Sequence, residues 1–454
     1  MPVNTDPRET LAKSAMSGLQ ILAVMITIGL NGLDGFDVLS ISYASPGIAK
    51  EWGVDKGALG IVLSMELIGM ALGSLCLGGV ADKIGRRKTI LGCLVLMTIG
   101  MFLATTAKGP VDLSAYRILT GLGIGGLLAA INAVAAEFSS TRRRDMAVSI
   151  MAIGYPVGGV VGGLIVAQLL KGTGDWRSVF YFGASVTAVF IPLVFIFVPE
   201  SIYWLVRKQP ADALNRINKT LGRMGHAAIS ALPAVSAEQR KRSFSDIFAP
   251  GLLAVTVLVS VTYFLHVTTF YYILKWVPVI VTSMGFPQSS AAGVLVWANV
   301  GGACGGIALG LLSQRFALKP LTVIAMILGS LGTVVFGRSP PDLQMLSIYV
   351  AVAGFFTNGA IAGMYAIFAK AFPTHVRASG TGVAIGIGRG GSVFAPMIAG
   401  FLFKGGVALS TVSAIMAVGS LLAAAVLSML KLKPDHAEHL PDREVAAVGD
   451  ARAA

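Results

Sequence analysis

Gly78-Gly79-Val80-Ala81-Asp82-Lys83-Ile84-Gly85-Arg86-Arg87 is a short charged turn that closes one apolar run, 57–80, and opens another, 88–107. Each run holds a single charged residue, Glu66 in the first and Lys88 in the second. Each also approaches the roughly 20 residues that cross ~30 Å of hydrocarbon as a helix. Working outward in both directions, ten more runs of this kind appear, at 19–43, 111–138, 145–170, 177–198, 251–282, 288–313, 318–336, 342–369, 378–403 and 407–430. A chain that is 55% apolar and only 13% charged does not suit a water-solvated surface. Its 55 glycines suit membrane helices, which approach closely through small residues. The expected fold is therefore an all-α membrane protein with twelve transmembrane helices.

The charged turn has a second copy. Gly310-Leu311-Leu312-Ser313-Gln314-Arg315-Phe316-Ala317-Leu318-Lys319 follows the eighth run, and Phe372 to Arg377 matches Phe138 to Arg143. Both matches imply an offset of 232 to 234 residues, which points to a duplicated unit. The expected plan is two pseudo-symmetric six-helix bundles, 19–198 and 251–430. An amino-terminal segment, 1–18, a polar central loop, 199–250, and a tail, 431–454, complete the chain.

The net charge of +13 is distributed to one side. Lys83, Arg86, Arg87 and Lys88 follow the second run, Arg142 to Arg144 follow the fourth, and the central loop carries Arg207, Lys208, Arg216, Lys219, Arg223, Arg240, Lys241 and Arg242. The opposite loops hold scattered cations such as Lys56, Lys108, Lys171 and Arg338. This asymmetry reads as a topology signal and not as a nucleic-acid surface, and it places both termini and the central loop in the cytoplasm. The expected location is a bacterial inner membrane. Residues 1–18 lack the apolar stretch of a secretory signal, so no cleavage is expected. Cys76, Cys93 and Cys304 all fall within apolar runs and read as small packing residues.

The G-x-x-x-D-K-x-G-R-R turn, the R-x-x-x-G-x-G-x-G stretch at Arg117 to Gly125 and the duplicated layout resemble the major facilitator superfamily. Within it, Asp34-Gly35-Phe36-Asp37, Pro199-Glu200-Ser201 and Gly388-Arg389-Gly390-Gly391 are similar to the aromatic acid:proton symporter family. The resemblance covers nearly the whole chain. It implies the major facilitator fold and proton-coupled import of a small aromatic carboxylate. The second copy of the turn departs from the pattern, with Gln314 where the first has Asp82.

In the turn, Gly78 and Gly85 allow a tight bend, and Asp82 beside Arg86 and Arg87 can bridge helix ends with charged hydrogen bonds that form in one conformation and break in another. Glu137, near the same end of the fourth run, is the expected partner of Arg86. The basic residues alone would also set topology.

Ionisable side chains inside apolar runs are costly and mark pathways or proton relays. They are Asp34, Asp37, Glu66, Arg117, His266, Lys275 and Arg389. Asp34 and Asp37 lie three apart on one helical face, where two carboxylates are expected to share a proton. A rise of about 1.5 Å per residue puts them roughly 9 to 14 Å below the periplasmic surface and Arg117 at about 9 Å, so an Asp–Arg pair is expected. Glu66 has two readings, a step in the proton path or a partner of Arg117. His266 falls opposite Asp34 under the repeat offset and is either a proton group or a hydrogen-bonded core residue. Arg389, about 17 Å deep, offers the planar fork that matches a carboxylate, with glycines on both sides to give a ligand room. Tyr271 and Tyr272 in the seventh run, and Phe355, Asn358 and Tyr365 in the tenth, are candidates for a ring-stacking pocket, although aromatic residues on apolar helices also serve plain packing. Lys275 sits towards the outer end of its run, in position to snorkel. Gly154-Tyr155-Pro156-Val157-Gly158-Gly159 resembles a superfamily antiporter motif, and such a stretch also bends helices.

Three functional classes follow: a proton-coupled importer of an aromatic or related carboxylate, an efflux antiporter or other facilitator-family porter, and a membrane enzyme or receptor. The third is weakest, since no metal-ligand cluster, phosphate loop or nucleophile–base arrangement is evident. The expectation is a transporter, not an enzyme, needing no cofactor and no metal, acting as a monomer on a small organic acid and a proton. Reporter fusions test the layout. Those in the 199–250 loop and after Lys433 should read as cytoplasmic and one after Lys171 as periplasmic; an external signal from the central loop would exclude twelve spans.

Overall fold

The computed structural model describes residues 6–77, 79–233, 250–372 and 376–430. Gly78, the stretch 234–249 of the central loop and the tail from residue 431 lie outside the described residues. The first half holds α1 (Pro7–Lys13), α2 (Gly18–Trp52), α3 (Lys56–Leu77), α4 (Val80–Ile84), α5 (Arg86–Thr105), α6 (Pro110–Glu137), α7 (Arg144–Thr173) and α8 (Arg177–Phe197). Two short helices, α9 (Ile202–Lys208) and α10 (Ala213–Arg223), belong to the central connection. The second half holds α11 (Pro250–Ser283), α12 (Gln288–Leu312), α13 (Leu318–Phe336), α14 (Leu343–Ala371), α15 (Arg377–Lys404) and α16 (Leu409–Met429). Among the described residues twelve helical spans are long and apolar enough to cross a bilayer, α3 and α4 counting as one.

Local chemistry fixes the ends of the first span. Ser17 and Gln20 form a reciprocal capping box at the start of α2, and Gly53, with φ 59°, takes the left-handed position after its last residue. Inside α2, Pro46 has no N–H to offer the Ser42 carbonyl, and the Ser45 hydroxyl donates to that carbonyl at 2.7 Å instead. Asp55 opens α3 by accepting the amides of Gly57 at 2.8 Å and Ala58 at 3.0 Å.

The duplication is visible in how helices touch. A Cβ on Gly69 or Gly73 of α3 would lie 2.3 or 2.2 Å from the Ile118 or Leu122 carbonyl of α6. In the second half Gly301 and Gly305 of α12 stand in the same relation to the Ala351 and Phe355 carbonyls of α14, at 1.9 and 1.8 Å. These pairs are separated by 232 or 233 residues, the offset read from the charged turns. A second seam repeats likewise: Gly158 of α7 lies against the Gly32 carbonyl of α2, and Gly391 of α15 against the Phe264 carbonyl of α11. With hydrocarbon outside and no water to expel, this closeness is what gives helices in a bilayer their contact energy. The glycine-rich stretch at Gly154 to Gly159 therefore has a packing role.

The halves are joined at the end that carries residues 53–55 and 405–408, the outer end in the expected orientation. There α3 runs into α15: a Cβ on Gly60 would lie 2.5 Å from the Pro396 carbonyl, and Asp55 meets Lys404 at 3.3 Å. Ser64 donates to the Val393 carbonyl at 2.7 Å. One apolar core crosses the boundary at this end, combining Leu59, Leu63 and Trp176 with Trp276, Ile280 and Ala395. At the opposite end a separate core belongs mainly to the first half and gathers Leu11, Ile202, Trp204 and Ile217 from α1, α9 and α10 onto the ends of the spans. Replacing Gly158 by leucine should force α2 and α7 apart, because its Cβ would lie 1.7 Å from the Gly32 carbonyl oxygen. The expected result is little monodisperse protein after detergent extraction, whereas Gly172→Leu, where a Cβ meets open space, should purify normally.

Candidate functional site

The centre of the molecule is built on α2. Its Asp34 and Asp37 are buried, and neither carboxylate oxygen of Asp37 has a hydrogen-bond partner. The two acids are on one helix, yet no hydrogen bond joins them in this conformation. Arg117 is the cation beside Asp37 and Arg389 the cation acting on Asp34, while Glu66 acts on both acids. The expected Asp–Arg salt bridge is replaced by a different one. Arg117, fully buried on α6, makes its ion pair with Glu66 of α3 and takes from Asp37 only the backbone carbonyl, at 3.1 Å. Its guanidinium also sits 5.2 Å from the centre of the Phe180 ring and 3.1 Å from the Met101 sulfur.

Lys275 corrects the sequence reading more sharply. It does not snorkel: it is fully buried on α11, its Nζ lies 3.7 Å from the second oxygen of Glu66, and it donates to the Val38 carbonyl of α2. One carboxylate thus stands between a guanidinium of its own half and an ammonium of the other. Two consecutive carbonyls of α2, those of Asp37 and Val38, each receive one of these cations. Removing one partner of such a buried set is far more harmful than never having built it.

Arg389 of α15 reaches across to the first half, with Nη1 donating to the Met70 carbonyl at 2.7 Å and to the Ser74 hydroxyl at 2.6 Å. Its charge acts on two tyrosines, Tyr263 and Tyr271, each of which is paired with another. Tyr263 and Tyr365 join hydroxyl to hydroxyl at 3.0 Å, and Tyr271 pairs with Tyr155 and is acted on by Arg389. Phe368 closes the ring cluster edge-on to Tyr263, at 5.5 Å. Beside it a narrow cleft between the halves is lined by Tyr155, Phe270, Asn299, Thr357 and Asn358.

Of the other aromatic candidates, Tyr272 points away: it is fully buried and bonds the Ser413 hydroxyl of α16 at 2.7 Å, so it packs the second half. Phe355 stacks edge-on with Phe356 at 5.1 Å, and Asn358 donates to the Gly302 carbonyl at 2.7 Å. His266 also stands apart from the acids. Its Nε2 donates to the Thr357 carbonyl at 2.8 Å and its Nδ1 is hydrogen-bonded to the Ser420 hydroxyl at 2.9 Å, so the ring ties α11 to α14 and α16.

The charged turn forms a second cluster. Arg86 reaches Asp82 at 2.7 Å and Glu137 at 3.3 Å, as expected. The sequence reading missed Glu200, which accepts the Arg86 and Arg87 amides at 2.7 and 3.2 Å and so caps α5. Gly85, with φ 109°, is needed twice over, since a Cβ there would lie 2.3 Å from a Glu200 oxygen. Arg87 turns to α8, over the Phe195 ring at 4.8 Å. Tyr155 and Tyr263 were missed as well. The spacing of Tyr263 from Tyr271, eight residues and so about two helical turns, was the signal available for one of them.

Two packed six-helix halves enclosing a charged, tyrosine-lined centre are the architecture of a multi-pass membrane transporter. Residues 27–342 and 294–452 match the Major Facilitator Superfamily, and the chain belongs to that family. It is 28% identical to a gallate transporter of Pseudomonas putida over 92% of this chain and 93% of that protein. It is 29% identical to the 4-hydroxybenzoate transporter PcaK of Acinetobacter baylyi, over 87% of this chain and 88% of that one. With the 3-(3-hydroxy-phenyl)propionate transporter of Escherichia coli it shares 28% identity over 90% of this chain and 94% of the relative. The crystal structure of a D-xylose-proton symporter has the same fold, with a TM-score of 0.69 at 19% identity, covering 91% of this chain and 98% of that chain.

The Glu66 pairings give a direct test. Glu66→Gln removes the ion-pair partner shared by the buried Arg117 and Lys275, a loss of about 3–5 kcal/mol. The thermal unfolding midpoint of the purified protein should fall by several degrees, and Asp34→Asn, which breaks no described ion pair, should move it much less.

Proposed function

We propose that this chain is a proton-coupled secondary transporter that imports a small aromatic or related carboxylate by alternating access. The observation that carries the reading is Arg389, a guanidinium that crosses the boundary of the halves and acts on Tyr263, Tyr271 and Asp34, with Tyr365 and Tyr155 paired to those two tyrosines. A planar cation can take a carboxylate in two parallel hydrogen bonds, and tyrosines supply faces for a ring and hydroxyls for its substituents. The relatives named for gallate, 4-hydroxybenzoate and hydroxyphenylpropionate support that class of cargo.

Charge counting supports the proton. The cluster holds three cations, Arg117, Lys275 and Arg389, and three acids, Asp34, Asp37 and Glu66. Fully ionised, it is neutral. A substrate carboxylate brings one negative charge into a medium where unpaired charge is expensive, and one accompanying proton restores the balance. Glu66 is held by two cations and His266 by two hydrogen bonds, so Asp34 and Asp37, the acids without such partners, are the proposed carriers.

The ion pair at the outer end is not the pH sensor. The Ala58 amide first, and Lys404 as well, hold the Asp55 carboxyl below its ordinary value of 3.8. A group depressed in this way contributes above its unfolded value and is lost only as pH falls through the lower folded one, well below the range in which uptake is measured. With α3 and α15 packed at that end, the conformation described is one closed to the outside; Asp82, Arg86 and Glu137, the proposed latch residues, bind one another within the first half here and would hold its inner helix ends together.

Uptake of a radiolabelled aromatic acid should rise as external pH falls and collapse with an uncoupler. The double variant Asp34→Asn, Asp37→Asn should lose accumulation against a gradient. Arg389→Lys should raise the apparent KM roughly tenfold while leaving the pH profile in place, since the charge remains and the planar fork is lost. Uptake that ignores pH, or full accumulation by the double variant, would reject the mechanism; substrate movement only outwards would favour an efflux antiporter.

A further inference from the structure

Among the described residues Lys275 is the one cation of the second half that is fully buried, and the proton and substrate steps leave it unused. Its position is specific. Nζ lies 3.7 Å from Glu66 of α3 and donates to the Val38 carbonyl of α2, while Glu66 is also held by Arg117 of α6. Both acceptors are in the first half, and both are on helices locked to their neighbours by glycine seams, α2 to α7 and α3 to α6. Lys275 alone approaches from α11. Next to it, Trp276 donates to the Pro396 carbonyl of α15 at 3.2 Å, at the level where Gly60 packs against α15.

We propose that Lys275 is a positioning residue that docks the second half onto Glu66 and the Val38 carbonyl whenever the outer end closes, and that it leaves both when that end opens. This rests on the alternating-access reading above and deepens it. Glu66 becomes a fixed counter-ion, not a proton carrier. Arg117 keeps it in place in both conformations, so the first half always presents one prepared carboxylate oxygen to the other half. Opening exposes the ammonium to water entering between α3 and α11, which compensates for the lost partners. Closing expels that water and restores them. The energy difference between the two conformations then includes one cross-half ion pair, and a ligand or proton need contribute only a modest differential to move the equilibrium.

The test uses Ser64, which donates to the Val393 carbonyl across the boundary and is buried in the closed conformation. Ser64→Cys is nearly isosteric, and Cys76, Cys93 and Cys304 can be replaced to give a silent background. The full chain in lipid nanodiscs, without substrate, is treated with a charged maleimide and the rate of labelling at position 64 is measured. Lys275→Met, which keeps the stem and removes the charge, should raise that rate roughly tenfold, and Lys275→Arg should return most of it. In vesicles, Lys275→Met should lower the maximal uptake rate while the dependence on external pH keeps its wild-type midpoint. Unchanged labelling in Lys275→Met would overturn the proposal, and so would a pH midpoint displaced as far as that of Asp37→Asn, which would make Lys275 part of the proton path. Equal labelling of Lys275→Met and Lys275→Arg would also overturn it, since packing and not charge would then hold the halves. Because the labelling needs no cargo, it stands or falls separately from the identity of the transported acid.

Discussion

A single carboxylate, Glu66, held between Arg117 and Lys275 deep inside the membrane, is the interaction on which the rest of the arrangement depends. Three charges at this depth could not persist singly in hydrocarbon. Each one makes the others tolerable, and the α2 carbonyls of Asp37 and Val38 take hydrogen bonds the carboxylate does not use. Because two of the three charges come from the first half and the third from the second, the same contact that keeps the interior neutral also joins the halves. The acids left over, Asp34 and Asp37, are then available for a charge that comes and goes.

The two ends of the molecule are held by different physics. At the outer end α3 and α15 meet through glycine contacts, an apolar core common to both halves, and an exposed Asp55–Lys404 pair. An exposed pair of this kind adds little stability, so packing dominates there. At the other end the Asp82, Arg86, Glu137 and Glu200 network ties α4, α5 and α6 to the residues that follow α8, entirely within the first half. Trp204 of α9 donates to the Asp82 carbonyl at 3.1 Å and carries the network into the central connection. Such a network can keep the inner ends of one half moving together as a body. At the corresponding place in the second half Lys319 caps the end of α16, donating to the Ser428 and Leu430 carbonyls, each at 2.7 Å. Gln314 in place of Asp82 is the sequence trace of that asymmetry.

Much of this was legible before any coordinates. Hydropathy gave the spans because a bilayer tolerates few other ways to satisfy a backbone, and the repeat offset found between charged turns recurs in the glycine seams to within a residue. The ionisable residues were legible for the same reason, since their cost in hydrocarbon makes them conspicuous. What could not be read was pairing. Depth counted along one helix places Asp37 and Arg117 in a common layer, but it says nothing of rotation, and rotation hands Arg117 to Glu66. Lys275 was misread because it is near enough to a span end to snorkel, while the neighbouring half supplies a carboxylate deeper in. Tyr272 and Tyr271 differ by one position, about 100° around the helix, and so face α16 and the centre respectively. Glu200 was quoted only as part of a motif, because a cap supplied from 114 residues away leaves no periodic signal.

The role of α2 follows from its neighbours. Gly32 and Gly35 lie within backbone contact of α7, and Asn31 donates to the Met151 carbonyl at 2.7 Å, so α2 cannot shift against its own half without breaking packed backbone. On the opposite side it packs against α11, and there Lys275 reaches the Val38 carbonyl across the boundary of the halves. A seam of glycines is stiff because its contacts are short and many, whereas a lysine on a four-carbon stem can let go and return without deforming a helix. Relative motion of the halves should therefore run along the α2–α11 boundary and spare the α2–α7 seam. Asp34 and Asp37 are on the stiff side of that boundary and Arg389 on the other, so in the proposed cycle the distance between the proton carriers and the substrate cation would change. Coupling requires that geometry: a proton and a carboxylate influence each other's binding only if the groups that hold them are brought together in one conformation and separated in the other.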